Sequence, residues 1–164
     1  MASSFALEPA YKHDESDVIY MPVTAAQTFK KGALCVLSTG LLVECGANPA
    51  AINAIALCDA SVGLDPRGSI YGGTNIPVIV PQPDTVFKLS SATTPVFATH
   101  VGNIYGVTKV GNVWQLDISK TTTNARFTVV GIGPVQGIIP SGGAPEYFLC
   151  KILPQYNSLS GVLS

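Results

Sequence analysis

Charge is what this chain has least of. Of its 164 residues only 12% are Asp, Glu, Lys or Arg, about half the roughly 25% of an ordinary soluble domain. Nine basic and ten acidic side chains nearly cancel, which excludes long-range steering towards nucleic acid, an anionic membrane or acidic substrates. Lys30-Lys31 is the sole basic doublet, so the basic stripe that nucleic-acid binding requires is missing. There is no run of 18 apolar residues to form a membrane-spanning helix. Met1–Pro9 lacks the basic start and continuous apolar run of a signal peptide, and none of the seven Asn residues opens an Asn-x-Ser/Thr sequon. Synthesis and assembly in a cytoplasm are expected. A 17.0 kDa chain exposes about 7,700 Å² by the usual surface scaling. Its few charges are therefore spread thinly, which points to a surface covered by other subunits rather than to a free monomer coated in Ser, Thr, Asn and Gly.

Reactive groups are equally scarce: two His, six Asp and four Glu. No Gly-x-Ser-x-Gly elbow, phosphate loop or His-Glu-x-x-His is present. Gly131-Ile-Gly133 runs into Pro134 rather than into a helix, which reads as loop punctuation. Cys35, Cys45, Cys58 and Cys150 sit in apolar runs without Cys-x-x-Cys spacing, so they are expected as buried thiols, with no metal and no cofactor. Cys150 with His100 as base is the best nucleophile available, yet burial raises a thiol's pKa and blocks access to it. His13-Asp14-Glu15-Asp17 has no predicted frame to converge on a cation and reads as a solvated arm. No enzymatic activity is expected.

What is abundant is punctuation, with sixteen Gly and twelve Pro, and between these breaks lie short β-prone runs. Strands are predicted at Val18–Val23, Ala33–Ser38, Leu41–Cys45, Ile55–Asp59, Ile76–Val80, Val86–Ser90, Ile104–Lys109, Val113–Ile118, Phe127–Ile132 and Tyr147–Leu153. Trp114, Leu116 and Ile118 alternate with Gln115 and Asp117, which puts Trp114 in the core and the polar pair on a wet face. Gly111-Asn112 and Thr39-Gly40 are predicted two-residue hairpin turns. Asn48–Asn53 is the one helix-like stretch, about a turn long, with Asn48 as N-cap and Pro49 at the first helical position. Residues 60–75 and 134–145 read as loop excursions, and no repeat of 20–50 residues is visible, which excludes solenoids and propellers. The expected architecture is all-β: a compact β-barrel or sandwich over residues 18–164, minimal helix, and an extended N-terminal arm over 1–17.

Two stretches carry a family likeness. They are Phe29-Lys-Lys-Gly-Ala-Leu-Cys-Val-Leu-Ser-Thr-Gly-Leu-Leu-Val-Glu-Cys with Ala51-Ile-Asn-Ala-Ile-Ala-Leu-Cys-Asp-Ala, and Val101–Ser119 followed by Thr121–Thr123 and Phe127–Ile132. Covering under half of the chain, they resemble the small decoration (cement, head-stabilising) proteins of tailed bacteriophages. The resemblance implies a β-tulip-like body, a homotrimer on the outer capsid surface of the virion, and an arm reaching the major capsid protein. Phe5, Leu7 and Tyr11, spaced along the polar arm, are the expected capsid contacts, and truncating 1–17 is expected to weaken attachment while leaving the body folded. Another head or tail component, such as a connector, or a carbohydrate-binding β-sandwich, are the alternatives. Residues 60–75 and 134–145 have no counterpart in the likeness.

Overall fold

A computed structural model of the chain describes residues 6–10, 18–24, 26–60, 75–133 and 146–157. It is all-β. Among the described residues the strands are β1 (Glu8–Pro9), β2 (Val18–Pro22), β3 (Leu34–Ser38), β4 (Leu41–Glu44), β5 (Ala54–Ala56), β6 (Asn75–Ile79), β7 (Phe87–Ser91), β8 (Ile104–Val110), β9 (Val113–Asp117), β10 (Phe127–Gly133) and β11 (Tyr147–Ile152), with one α-helical turn, α1 (Phe97–His100), and two 3-10 turns, Thr122–Asn124 and Pro154–Tyr156. All ten predicted strands are present, trimmed or extended at their ends.

The strands form two sheets that share one pattern of pairing. In the first, β2-β6-β5-β3-β4 pair antiparallel in that order. Val23, just after β2, then bridges Leu42 of β4 in parallel, and the Thr24 N–H donates to the Leu42 carbonyl at 3.1 Å. In the second, β7-β11-β10-β8-β9 are antiparallel in order, and β9 closes on β7 in parallel through Ser90↔Gln115 and Ser91↔Leu116. Counted along the chain, each set of five therefore pairs first with fifth, fifth with fourth, fourth with second, second with third, and third with first. Closure shortens the open edges that a small sheet would expose to aggregation, through two residue pairs in the second set and a single bridge in the first.

The connections repeat as well. Second and third strands are joined by two-residue turns, Thr39-Gly40 and Gly111-Asn112. Thr39 and Gly40 both adopt positive φ, 51° and 82°, whereas of the other pair only Gly111 does, at 60°, so one turn is type I′ and the other type II′. Nine residues link third to fourth strand in both sets, 45–53 and 118–126. The longest connection in each joins fourth to fifth, and the Gly-rich excursions belong to these; 61–74 and 134–145 lie outside the described residues, while Asn75 opens β6. The architectural repeat begins at Val18 and again at Phe87, a period longer than the roughly 20–50 residues of solenoid and propeller repeats.

One core runs through both barrels, including Leu34, Ile55 and Ile76 from the first and Phe87, Phe127 and Phe148 from the second. Two expectations change. Asn48–Asn53 is not helical, because its backbone serves the barrels: the Asn53 N–H donates to Cys35 O at 2.9 Å and the Ile52 N–H to Tyr156 O at 2.7 Å, while Asn53 Oδ1 accepts the Leu37 N–H at 2.7 Å. Gln115 does not face water but is only 9% exposed, since barrel closure lays Ser90 beside it. Trp114 is in the core as expected, at 2%.

Thr39 is exposed and β-branched at a position that favours Asn or Gly. Replacing it, Thr39→Asn, is expected to stabilise the protein by about 1 kcal/mol, read as a raised midpoint in urea with unchanged slope.

Candidate interaction surface

Chemistry at the thiols is suppressed by their surroundings. Cys35, Cys45 and Cys150 are buried and Cys58 half-buried. Burial pushes the Cys150 thiol well above its ordinary value. It likewise raises Cys45 to about 12, helped by the Glu44 charge, and it raises Cys35 and Cys58. His100, at the end of α1, points inward with its ring edge-on to Phe148, centroids 5.2 Å apart. Its Nδ1 accepts the Val96 N–H at 2.9 Å. The Cys150–His100 pairing thus has a thiol held protonated and an imidazole nitrogen already engaged. Among the described residues no three His, Cys, Asp or Glu side chains cluster as metal ligands; His13, Asp14, Glu15 and Asp17 lie outside them.

Polar side chains are used mainly to brace the barrels. Lys109 Nζ lies 2.8 Å from both Glu44 carboxylate oxygens, and the same carboxylate accepts the Trp114 indole N–H at 3.1 Å. Arg126, 6% exposed, donates from Nε to the Pro49 carbonyl and from a terminal nitrogen to Thr123 O and Ala125 O. Its guanidinium lies 4.1 Å from the Tyr156 ring centroid. Carbonyls and an aromatic face thus satisfy a buried cation. Glu44 and Pro49 come from the first barrel, their partners from the second.

The surface feature that this frame leaves uncovered is apolar. Phe97 is 63% exposed and Val96 48%, and Ile104 and Val130 are also exposed. The first two lie at α1 and the third opens β8. Hydrogen bonds from Gly102 N to Val129 O and from Val129 N to Asn103 O tie this stretch to β10, which carries Val130. Val130 stands where the β10–β11 register slips by one residue. The corresponding connection of the first barrel, between β2 and β3, has no helical turn among its described residues and buries its phenylalanine, Phe29, at 1%. The two barrels therefore differ at this corner. Sequence reading passed over Phe97 because it belongs to no strand run; an aromatic directly after Thr93-Thr94-Pro95-Val96 was the available signal.

Of the three expected contact residues, Phe5 and Tyr11 lie outside the described residues. Leu7 is 1% exposed and part of the protein's own core, so its side chain is not free for a capsid. It packs where Gly32, at φ +84°, leaves room: a Cβ there would stand 2.7 Å from Leu7 N. Truncating 1–17 therefore removes a core side chain worth about 2 kcal/mol of burial and does not isolate an attachment role. Comparison of the chain with protein-family models, with curated proteins and with solved structures finds no match.

Beside Gly32 the basic doublet closes a turn: Lys30 Nζ meets Asp59 Oδ2 at 2.9 Å and the Lys31 N–H donates to Oδ1 at 2.8 Å. The Lys30 hydrogen bond first, then that of Lys31, holds the Asp59 carboxyl below its usual range. A depressed carboxylate stabilises the fold above its unfolded pKa, and the contribution is lost as pH falls through the folded value. Because the pair is solvent-accessible, Asp59→Asn is expected to cost no more than about 1 kcal/mol at neutral pH. Wild type and variant should converge in thermal melts between about pH 5 and about pH 2.

Proposed function

We propose that this protein is a structural virion component, a phage capsid decoration protein that sits as a homotrimer on the outer capsid surface and bridges major capsid protein subunits. The observation that carries the reading is the exposed Phe97 corner, set on a braced, sparsely charged all-β body. Rigid apolar anchors are what a clamp requires. Burying aromatic side chains in a partner's pocket supplies much of an interface's free energy, and few charges keep desolvation costs low. Such a protein stabilises a shell by raising the barrier to subunit separation, without any reaction. The sequence resemblance to decoration proteins supports the same reading, as does the suppression of the thiols. A three-fold assembly closes through head-to-tail contacts that use two different surfaces of each chain, leaving the Phe97 corner for the capsid.

The test is co-sedimentation of the purified chain with undecorated capsids of the phage that encodes it. Wild type is expected in the pellet, and Phe97→Ser is expected to weaken binding about tenfold or more without lowering the melting temperature, since the ring is already exposed. Wild-type protein left in the supernatant would contradict the reading.

A further inference from the structure

The described part of the N-terminal segment is a separate element inserted into a slot between the barrels. The free edge of β7, opposite β11, is shared: β9 takes Ser90 and Ser91, and β1 takes the beginning through Glu8↔Lys88 and Pro9↔Phe87. The Ala10 N–H adds a bond to Val86 O at 2.8 Å, and Lys88 Nζ stands 3.5 Å from the Glu8 carboxylate. Leu7 fills the slot, and its backbone lies against Gly32 of the first barrel so closely that no side chain fits there. Yet the next strand along the chain, β2, belongs to the other barrel from the one that β1 joins. Only residues 11–17, Tyr-Lys-His-Asp-Glu-Ser-Asp, connect them.

We propose that residues 6–10 are an exchange strand, seated in assembled protein on the slot of a second copy of this chain. The slot is specific for this segment: it matches one leucine, a two-residue ladder and a backbone contact over a bare glycine. A second copy supplies the same segment and so remakes every contact. Exchange of an identical element then costs only the opening of the original contacts, and a two-residue ladder in which Pro9 has no N–H to donate is cheap to open. Strand addition to a sheet edge gives affinity through main-chain bonds and specificity through side-chain pockets, here Leu7. Head-to-tail exchange round a ring closes without leaving a vacant slot. The inference rests on the self-association part of the proposed function and not on the capsid.

Two full-length variants test it, Glu8→Cys and Lys88→Cys, each bearing one new thiol at the two ends of a cross-strand pair. Both positions are partly exposed, and thermal melts check that each variant folds. Co-expressed and oxidised, the two are expected to give a covalent dimer of two 17.0 kDa chains, above the level formed by either variant alone. If the co-expressed pair stays at single-chain mass while the double variant in one chain forms its internal link, the strand remains at home and the proposal fails. Absence of a link in both would also overturn it. An assembly of normal mass without the inter-chain link would leave self-association standing and remove exchange alone.

Discussion

Each set of five short strands is closed by one brief parallel contact, Val23 with Leu42 in one barrel and Ser90–Ser91 with Gln115–Leu116 in the other. A flat sheet of strands three to seven residues long would bury little on its own face and would leave two edges open. Closing it turns both ends of the pairing order inward. That closure buries the polar Gln115, requires tight primed turns at Thr39-Gly40 and Gly111-Asn112, and leaves the start of β7 to take another strand. β1 occupies that place. The same closure fixes where the barrels meet, because Glu44 ends β4 and Trp114 lies in β9. The cross-brace between them is thus a consequence of the strand order.

Strands were legible in the sequence because β-branched and aromatic runs between Gly, Pro and Asn signal extended backbone locally. The hairpins were legible for the same reason, since positive φ is demanded at one or two residues. Pairing order was not legible, because it depends on which distant strands share a core, and nothing at Val23 or Ser90 marks a closing partner. The duplicated pattern is not legible in the sequence for a related reason. Positions equivalent in topology carry unlike residues, such as Leu42 and Trp114 next to the two hairpin turns, so the repeat lies in the pairing and not in side-chain identity. Asn48–Asn53 misled because its local capping signals were outweighed by hydrogen bonds to Cys35, Leu37 and Tyr156.

The candidate surface was the least legible part. Leu7 was expected to face a partner, and its hydrophobicity fitted that role as well as it fits a core. What distinguishes the two is Gly32, 25 positions later in the chain and touching Leu7 only after folding. Phe97, in contrast, lies in a connection that reads as loop, and it is exposed although His100, at the other end of the same helical turn, packs inward against Phe148. The molecule thus has a slot that takes its own N-terminal segment and an apolar corner that none of the described residues covers, on a body whose described charges are mostly paired.

The native mass of this chain, measured by light scattering coupled to size exclusion, tests the proposal that it works as an assembled shell component. A particle of about three times the 17.0 kDa chain mass is expected, in keeping with a closed three-fold ring. A particle of single-chain mass across the accessible concentration range would contradict it.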